Sequence, residues 1–298
     1  PKIKLQLTNA VNELKLNYQH LAPEFHNDVQ KIQHMLKIII SVVSQFKSLA
    51  KSVDDCMDDK HLHVSPRTYE MYTRFAEKLK NAQPDFDSEE FSQRVKTAIE
   101  ESKCIMLFNF MSHVAFNQLY IETHIAPFRS ACDELIDEVH MYVKSVMDVI
   151  IDTQLQMKYP PLILATKLVV EDFLNEQKTS TQEVVNKLIE AELFIFTQNV
   201  EYPIKVKSID SADAVEFLQK ALKVYSDIAI SRFCDCVPMQ CHLFFVTKLY
   251  KTLHEYVDLE NMSHHLIDDT IVVNKRKETE LSISRFEKAL TILNELKL

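Results

Sequence analysis

The residues best suited to hold a metal ion form the run Cys234-x-Cys236-x4-Cys241-His242. Thiolate and imidazole are zinc ligands, yet a structural zinc site usually draws them from turns and adds a second, distant pair. On a continuing helix Cys234 and Cys241 lie two turns apart, while Cys236 and His242 point elsewhere. Small apolar thiols filling a helix seam are therefore the expected reading. Asp54, Asp55, Asp58 and Asp59 with His61 and His63, and His264-His265 with Asp268-Asp269, read as solvated polar segments. No metal ligand is assigned. Nor does any Ser or Cys sit where the local sequence supplies both a base and an oxyanion site. Cys104, Cys132 and Cys241 fall in apolar seams, and pairs such as Glu89-Glu90 and Glu100-Glu101 read as solvated helix faces. No catalytic or cofactor-binding residue is assigned.

The chain has 298 residues and not one glycine, where ordinary usage would give roughly 20. That absence excludes the G-x-x-x-x-G-K-[ST] phosphate loop, the G-x-G-x-x-G dinucleotide fingerprint, the G-x-S-x-G nucleophile elbow and the glycine-pivoted EF-hand. Helices joined by Pro, Asp, Asn and Ser loops remain easy to build. A net charge of −9 with no basic stripe argues against nucleic acid as a partner. Six cysteines without the spacing of a secreted scaffold, and no signal peptide, read as reduced thiols of a cytosolic or nuclear protein, of which cytoplasmic is the expectation. Apolar runs such as Met35–Val43 stop short of the ~20 residues that a spanning helix needs. The start at Pro1 reads as that of a piece of a longer protein.

Helical periodicity positions these residues. Ile32, Leu36, Ile39, Val43, Phe46, Ala50 and Val53 repeat at alternating steps of four and three. Phe128, Cys132, Leu135, Val139, Tyr142, Val146 and Val149 do the same, as do Ile283, Phe286, Leu290 and Leu293. Such seams predict long helices packed side by side at shallow angles. Helices are expected over 1–21, 27–56, 67–83, 88–107, 113–158, 161–200, 212–260 and 275–297. Ser65-Pro66 is the expected start of the third, Pro84 to Glu90 a turn into the fourth, and Ser112 the cap of the fifth. Pro160-Pro161 should split the central run, Tyr202-Pro203 to Ser211 should be a connection, and 258–274 a polar hinge. Straight helices over 113–200 would measure on the order of 120 Å, which predicts a rod.

Three segments resemble the stalk of the dynamin superfamily of large, polymerising GTPases. Phe108-Asn109-Phe110-Met111-Ser112-His113-Val114-Ala115-Phe116, followed by Pro127, is similar to the middle-domain loop and its helix. Tyr159-Pro160, Val170-Glu171-Asp172-Phe173-Leu174 and Leu188-Ile189-Glu190-Ala191-Glu192-Leu193 resemble the stretch ending in LI-x-x-EL and an aromatic. Tyr225-x3-Ala229-x2-Arg232-x5-Pro238 and Phe244-Phe245 resemble the GTPase effector domain, in a spacing closest to the Mx (myxovirus-resistance) branch. Asn109 stands where that loop usually holds glycine, and Met106 where dynamins often place Arg. Residues 203–212 are too few for a pleckstrin-homology domain or a long membrane-binding loop.

The resemblance implies an all-α, elongated antiparallel four-helix-bundle stalk whose C-terminal helix returns toward a head domain absent from this chain. Residues 1–210 would be the middle-domain part, 211–274 the effector-domain part, and 275–298 a helix like that of the bundle signalling element. It also implies dimerisation, growth into rings or filaments, and coupling of assembly to GTP hydrolysis by the head, where GTP and Mg would bind. Besides other copies and the head, a membrane or viral component engaging a missing loop is an implied partner. Leu243, Phe244, Phe245, Val246, Leu249 and Tyr250 are too many apolar residues for one helix face. Either the helix is buried all round or some of them form a self-association patch. With the resemblance, Val246 is the expected centre of a two-fold contact, flanked by Leu243, Phe245, Leu249 and Tyr250. Met106, Phe108, Phe110 and Met111 form the second expected assembly loop. A helical-rod adaptor or tether without any GTPase is the alternative, distinguished by whether a GTPase domain precedes Pro1 in the parent gene.

Overall fold

The computed structural model describes residues 2–19, 25, 27–51, 60–103, 111–155, 160–210, 213–266 and 270–295. Among these the regular structure is entirely helical. The helices are α1 (Lys2–Gln19), α2 (Asp28–Lys51), α3 (Val64–Asn81), α4 (Glu89–Lys103), α5 (Met111–Tyr120) and α6 (Ala126–Leu155). They continue with α7 (Pro160–Glu192), α8 (Glu201–Lys207), α9 (Ala214–Cys241), α10 (Lys248–Tyr256), α11 (Leu259–Ser263) and α12 (Thr270–Glu295). A π-helical turn, Ile121–Ile125, joins α5 to α6 without a break, and a second, His242–Thr247, joins α9 to α10.

Local chemistry explains most of the boundaries. Ser88 caps α4, its Oγ accepting from the Phe91 amide at 3.1 Å, and Glu89 and Glu90 follow in the first turn. Acidic side chains are favourable there because unpaired amides leave the N-terminus partly positive. Asp213 and Asp258 accept amide hydrogens at the starts of α9 and α11. Pro160 opens α7, in the first turn, where a missing N–H costs nothing. Four expectations are corrected. The third helix begins at Val64 with no side-chain cap, and Ser65 Oγ instead donates to the Ala50 carbonyl at 2.6 Å, tying α3 to the end of α2. Residues 193–200 leave the helix at Glu192. The connection from Tyr202 holds a short helix, α8, with Pro203 in its first turn. The polar hinge likewise contains α11.

The chain forms two compact units, neither contiguous in sequence. In the unit of Pro1–Gln45, Met147–Val170 and His254–Leu298, α1 packs on α12, where Lys15 meets Glu287 at 2.7 Å. Ser41 donates to Gln154, and Lys167 pairs with Asp152. Met35, Ile39, Val42, Ile150, Ile151 and Leu162 form its core. The expected seam of α12 is only half-buried: Ile283, Phe286, Leu290 and Leu293 all keep contact with solvent.

In the unit of Phe46–Val146 and Glu171–Leu253, the register is read from side-chain pairs. Arg129 bonds Asn186 at 2.6 Å, Lys178 pairs with Asp137 at 2.7 Å, and Lys144 with Glu171 at 2.6 Å, so α7 runs antiparallel to α6. Arg74–Glu138 and Lys78–Glu134 set α3 antiparallel to α6 as well. Ring contacts of Phe128 with Phe233 and of His140 with Phe245 set the α9–α10 run parallel to it. These exposed ion pairs report the register more than they stabilise it, at about 0–1 kcal/mol each. Stability comes from the core, with Phe46, Tyr120, Phe128, Ile136, Tyr225 and Phe245 all fully buried. Each such side chain contributes on the order of 1.5–3 kcal/mol. The α6 seam is buried from Phe128 to Val146, but so are Ala131, Ile136 and Val143 beside it, because α6 has neighbours on several sides. Val149 falls outside the stripe and is exposed.

Candidate functional site

The second π-helical turn carries most of the expected self-association patch. An extra residue in this turn rotates the side chains that follow it relative to a regular α-helix. Phe245 faces the His140 ring, with centroids 5.9 Å apart. Val246, only 1% exposed, and Leu249 are buried beside it. Phe244 is buried under the Lys248 ammonium, 3.9 Å from its ring centroid. Tyr250 is half-buried between the ammonium groups of Lys47 and Lys51, each 5.8 Å from the ring. Leu243 alone of the five is well exposed, at 42%, and Met239 one turn earlier is exposed too. Expecting Val246 at the centre of a contact therefore conflicts with its burial: Phe245, Val246 and Leu249 are spent on their own core. Leu243 and the rim of Tyr250 are what a partner can reach. Of the second expected loop, Met106, Phe108 and Phe110 lie outside the described residues, as does the side chain of Met111.

A denser apolar surface lies on the connection between α7 and α9. Phe194 is 75% exposed, Val200 74% and Ile204 67%, and Leu193, Phe196 and Phe217 are exposed as well. The Phe194 and Phe196 rings stack at 5.9 Å and 19°. Beside them is a groove of about 340 Å³ walled by Phe116, Phe196, Tyr202, Phe217 and Tyr225. Single exposed apolar side chains are ordinary, whereas a cluster of large ones marks an interaction surface.

A buried polar network underlies this surface. Glu192, the last residue of α7, has a side chain only 5% exposed. Its Oε1 accepts from Tyr225 Oη at 2.9 Å, Tyr120 Oη at 3.1 Å and Arg232 Nη2 at 3.3 Å. A buried carboxylate is tolerable only when its lone pairs are met in this way. Burial first, and then the Glu192 charge, push the Tyr225 hydroxyl up to about 12 and that of Tyr120 higher still, so both remain donors at neutral pH. Tyr225 Oη also accepts the Phe196 amide at 3.2 Å, and Arg232 Nη1 donates to the Phe196 carbonyl at 3.4 Å.

A second buried cluster adjoins it in the first π-helical turn. His124 Nε2 meets Ser226 Oγ, which also accepts from Gln83 Nε2 at 2.9 Å, and His124 Nδ1 reaches the Tyr120 carbonyl at 3.3 Å. Burial lowers the imidazole to about 4 and keeps it neutral. Ser226 is fully enclosed, so this serine–histidine contact has no substrate access and serves packing. Among the cysteines, Cys132 and Cys241 are buried while Cys234 and Cys236 are half-buried. Burial pushes the Cys241 thiol up to about 12, away from the thiolate a metal would require. Among the described residues no three His, Cys, Asp or Glu side chains gather as a metal site. Asp54, Asp55, Asp58, Asp59, Asp268 and Asp269 lie outside those residues.

The sequence matches the dynamin central region over residues 1–211, more than two thirds of the chain. This chain belongs to the dynamin central-region family. It is 23% identical over 203 residues to the interferon-induced GTP-binding protein MxE of Danio rerio, an alignment covering 62% of this chain and 32% of that protein. It is likewise 23% identical over 202 residues to the interferon-induced GTP-binding protein Mx of Ctenopharyngodon idella, with the same coverage. The chain thus spans about a third of the length of these relatives. The dynamin central region is distinct from the GTPase domain. Among the described residues no helix is long and apolar enough to cross a membrane.

The exposed connection of this dynamin-family chain departs from the expectation of one helix over 161–200, since α7 ends at Glu192. The signal was present in Leu193-Phe194-Ile195-Phe196, four apolar residues in a row at the end of a seam, which no single helix face can hold.

Proposed function

We propose that the chain is the self-assembling stalk of an Mx-like, dynamin-type large GTPase. It hydrolyses nothing itself and transmits assembly to a separate GTP-binding head. Residues 1–210 serve as its middle-domain part, 211–274 as its effector-domain part and 275–298 as the helix returning to the head. The family supports self-association. The observation that carries the reading is the apolar surface of Phe194, Phe196, Val200 and Ile204, held outward on one short connection. Its occupant is a second copy of the chain, since a two-fold contact presents the same patch from both sides. Leu243 and Met239 offer a second apolar spot, and the loop at 106–111 serves growth beyond the dimer. The place of action is the cytoplasm.

Sedimentation velocity tests this directly. The wild-type chain should sediment as a dimer or larger species. Replacing Phe194 and Phe196 together by Ser should give a monomer of unchanged helical circular dichroism. A wild-type chain that stays monomeric at high concentration would sink the proposal.

A further inference from the structure

We infer that Tyr225 and Arg232 are positioning residues for assembly: they clamp the backbone of Phe196 and so set the outward presentation of the Phe194–Phe196 pair. The inference rests on the self-assembly reading above. Past Glu192 the connection has little regular bonding to fix it. The Leu193 and Phe194 amides close turns onto Glu190 and Ala191, and the Asn199 amide bonds Thr197 Oγ1. Between these local turns, Phe196 is tied at both backbone groups to side chains of α9: its N–H to Tyr225 Oη, its C=O to Arg232 Nη1. Glu192 Oε1 accepts from that same Tyr225 hydroxyl and from Arg232 Nη2, fixing both side chains. The Arg232 guanidinium also lies over the Tyr225 ring, 5.9 Å from its centroid, so the two clamping side chains pack on each other. An apolar pair that wandered would have to be ordered on binding, an entropic cost that a preset connection avoids.

Tyr120 supplies the control. Its hydroxyl donates to the same Glu192 oxygen, and no bond joins it to Phe196. Tyr225→Phe and Tyr120→Phe each remove one donor from Glu192, but only the first also frees the Phe196 amide. Tyr225→Phe should weaken self-association about tenfold and speed deuterium uptake in peptides covering 193–200 by a similar factor. Tyr120→Phe should change both less than threefold while lowering the melting temperature at least as much. Should Tyr225→Phe fold poorly, Arg232→Lys replaces it: Arg232 is 41% exposed, and a single ammonium cannot reach Glu192 and the Phe196 carbonyl as a fork. The same pattern is expected of it. Equal effects of the two tyrosine variants on association, or unchanged deuterium uptake at 193–200 in Tyr225→Phe, would overturn the inference while leaving the assembly reading standing. A wild-type chain that does not associate overturns both.

Discussion

The burial of Val246 against the exposure of Leu243 gives the sharpest prediction, because the two lie on one π-helical turn and would share a face on a helical wheel. Val246→Asp puts a carboxyl where the side chain is 1% exposed, among the buried Phe244, Phe245 and Leu249 of the same run. The group can fold inside only by taking a proton. At pH 7, against an ordinary Asp value near 3.9, that costs about 4 kcal/mol. Lost burial of the valine adds about 1.5 kcal/mol or more. A sum of about 6 kcal/mol competes with the whole stability of an ordinary domain, about 5–15 kcal/mol. Leu243→Asp, at 42% exposure, meets no such penalty and should leave stability within about 1 kcal/mol of wild type.

The pH dependence identifies the mechanism. A carboxyl whose folded value is raised is destabilising above its unfolded value, and the penalty fades as pH falls toward 3.9. The protonation part of the Val246→Asp deficit should therefore shrink from about 4 kcal/mol at pH 7 to about 1.5 kcal/mol at pH 5. Urea unfolding followed by circular dichroism at both pH values measures it, with wild type run alongside to cancel every other titrating group. If Val246→Asp folds as stably as wild type and only loses its dimer, then burial was the wrong criterion and Val246 is an interface residue after all.

His124 titrates with the opposite logic. Its folded value of about 4 lies below the ordinary 6.5, so the unfolded chain binds the proton first. Wild type should lose about 2 kcal/mol through this group between pH 7 and pH 5, and His124→Gln should not. Parallel stability curves for the two proteins would refute this. Ser88→Ala removes the α4 cap and should cost about 1 kcal/mol in urea unfolding, with helical content otherwise retained. Replacing Phe108 and Phe110 together by Ser in the parent protein should block filaments but leave the dimer, and filaments seen by electron microscopy would reject that loop.

The sequence by itself determined the helical class, the seams and most boundaries, because those depend on interactions within a few residues. The steps of four and three along Ile39, Val43, Phe46 and Ala50 appear as buried stripes, and Ser88, Asp213 and Pro160 act where local hydrogen bonding requires them. The absence of glycine excludes the nucleotide loops, and the order of three weak motifs points to the dynamin family. What only the tertiary structure decided is which apolar residues are left over. Leu243 and Val246 have the same kind of side chain in the same run, and a π-helical turn packed against α6 buries one and exposes the other. Residues 193–196 hold no proline or glycine to stop a helix, yet the chain leaves the helix at Glu192, where a buried carboxylate collects donors from Tyr120, Tyr225 and Arg232. Those partners lie between 33 and 72 residues away. No local pattern records such a meeting; it exists only once α5, α7 and α9 have packed.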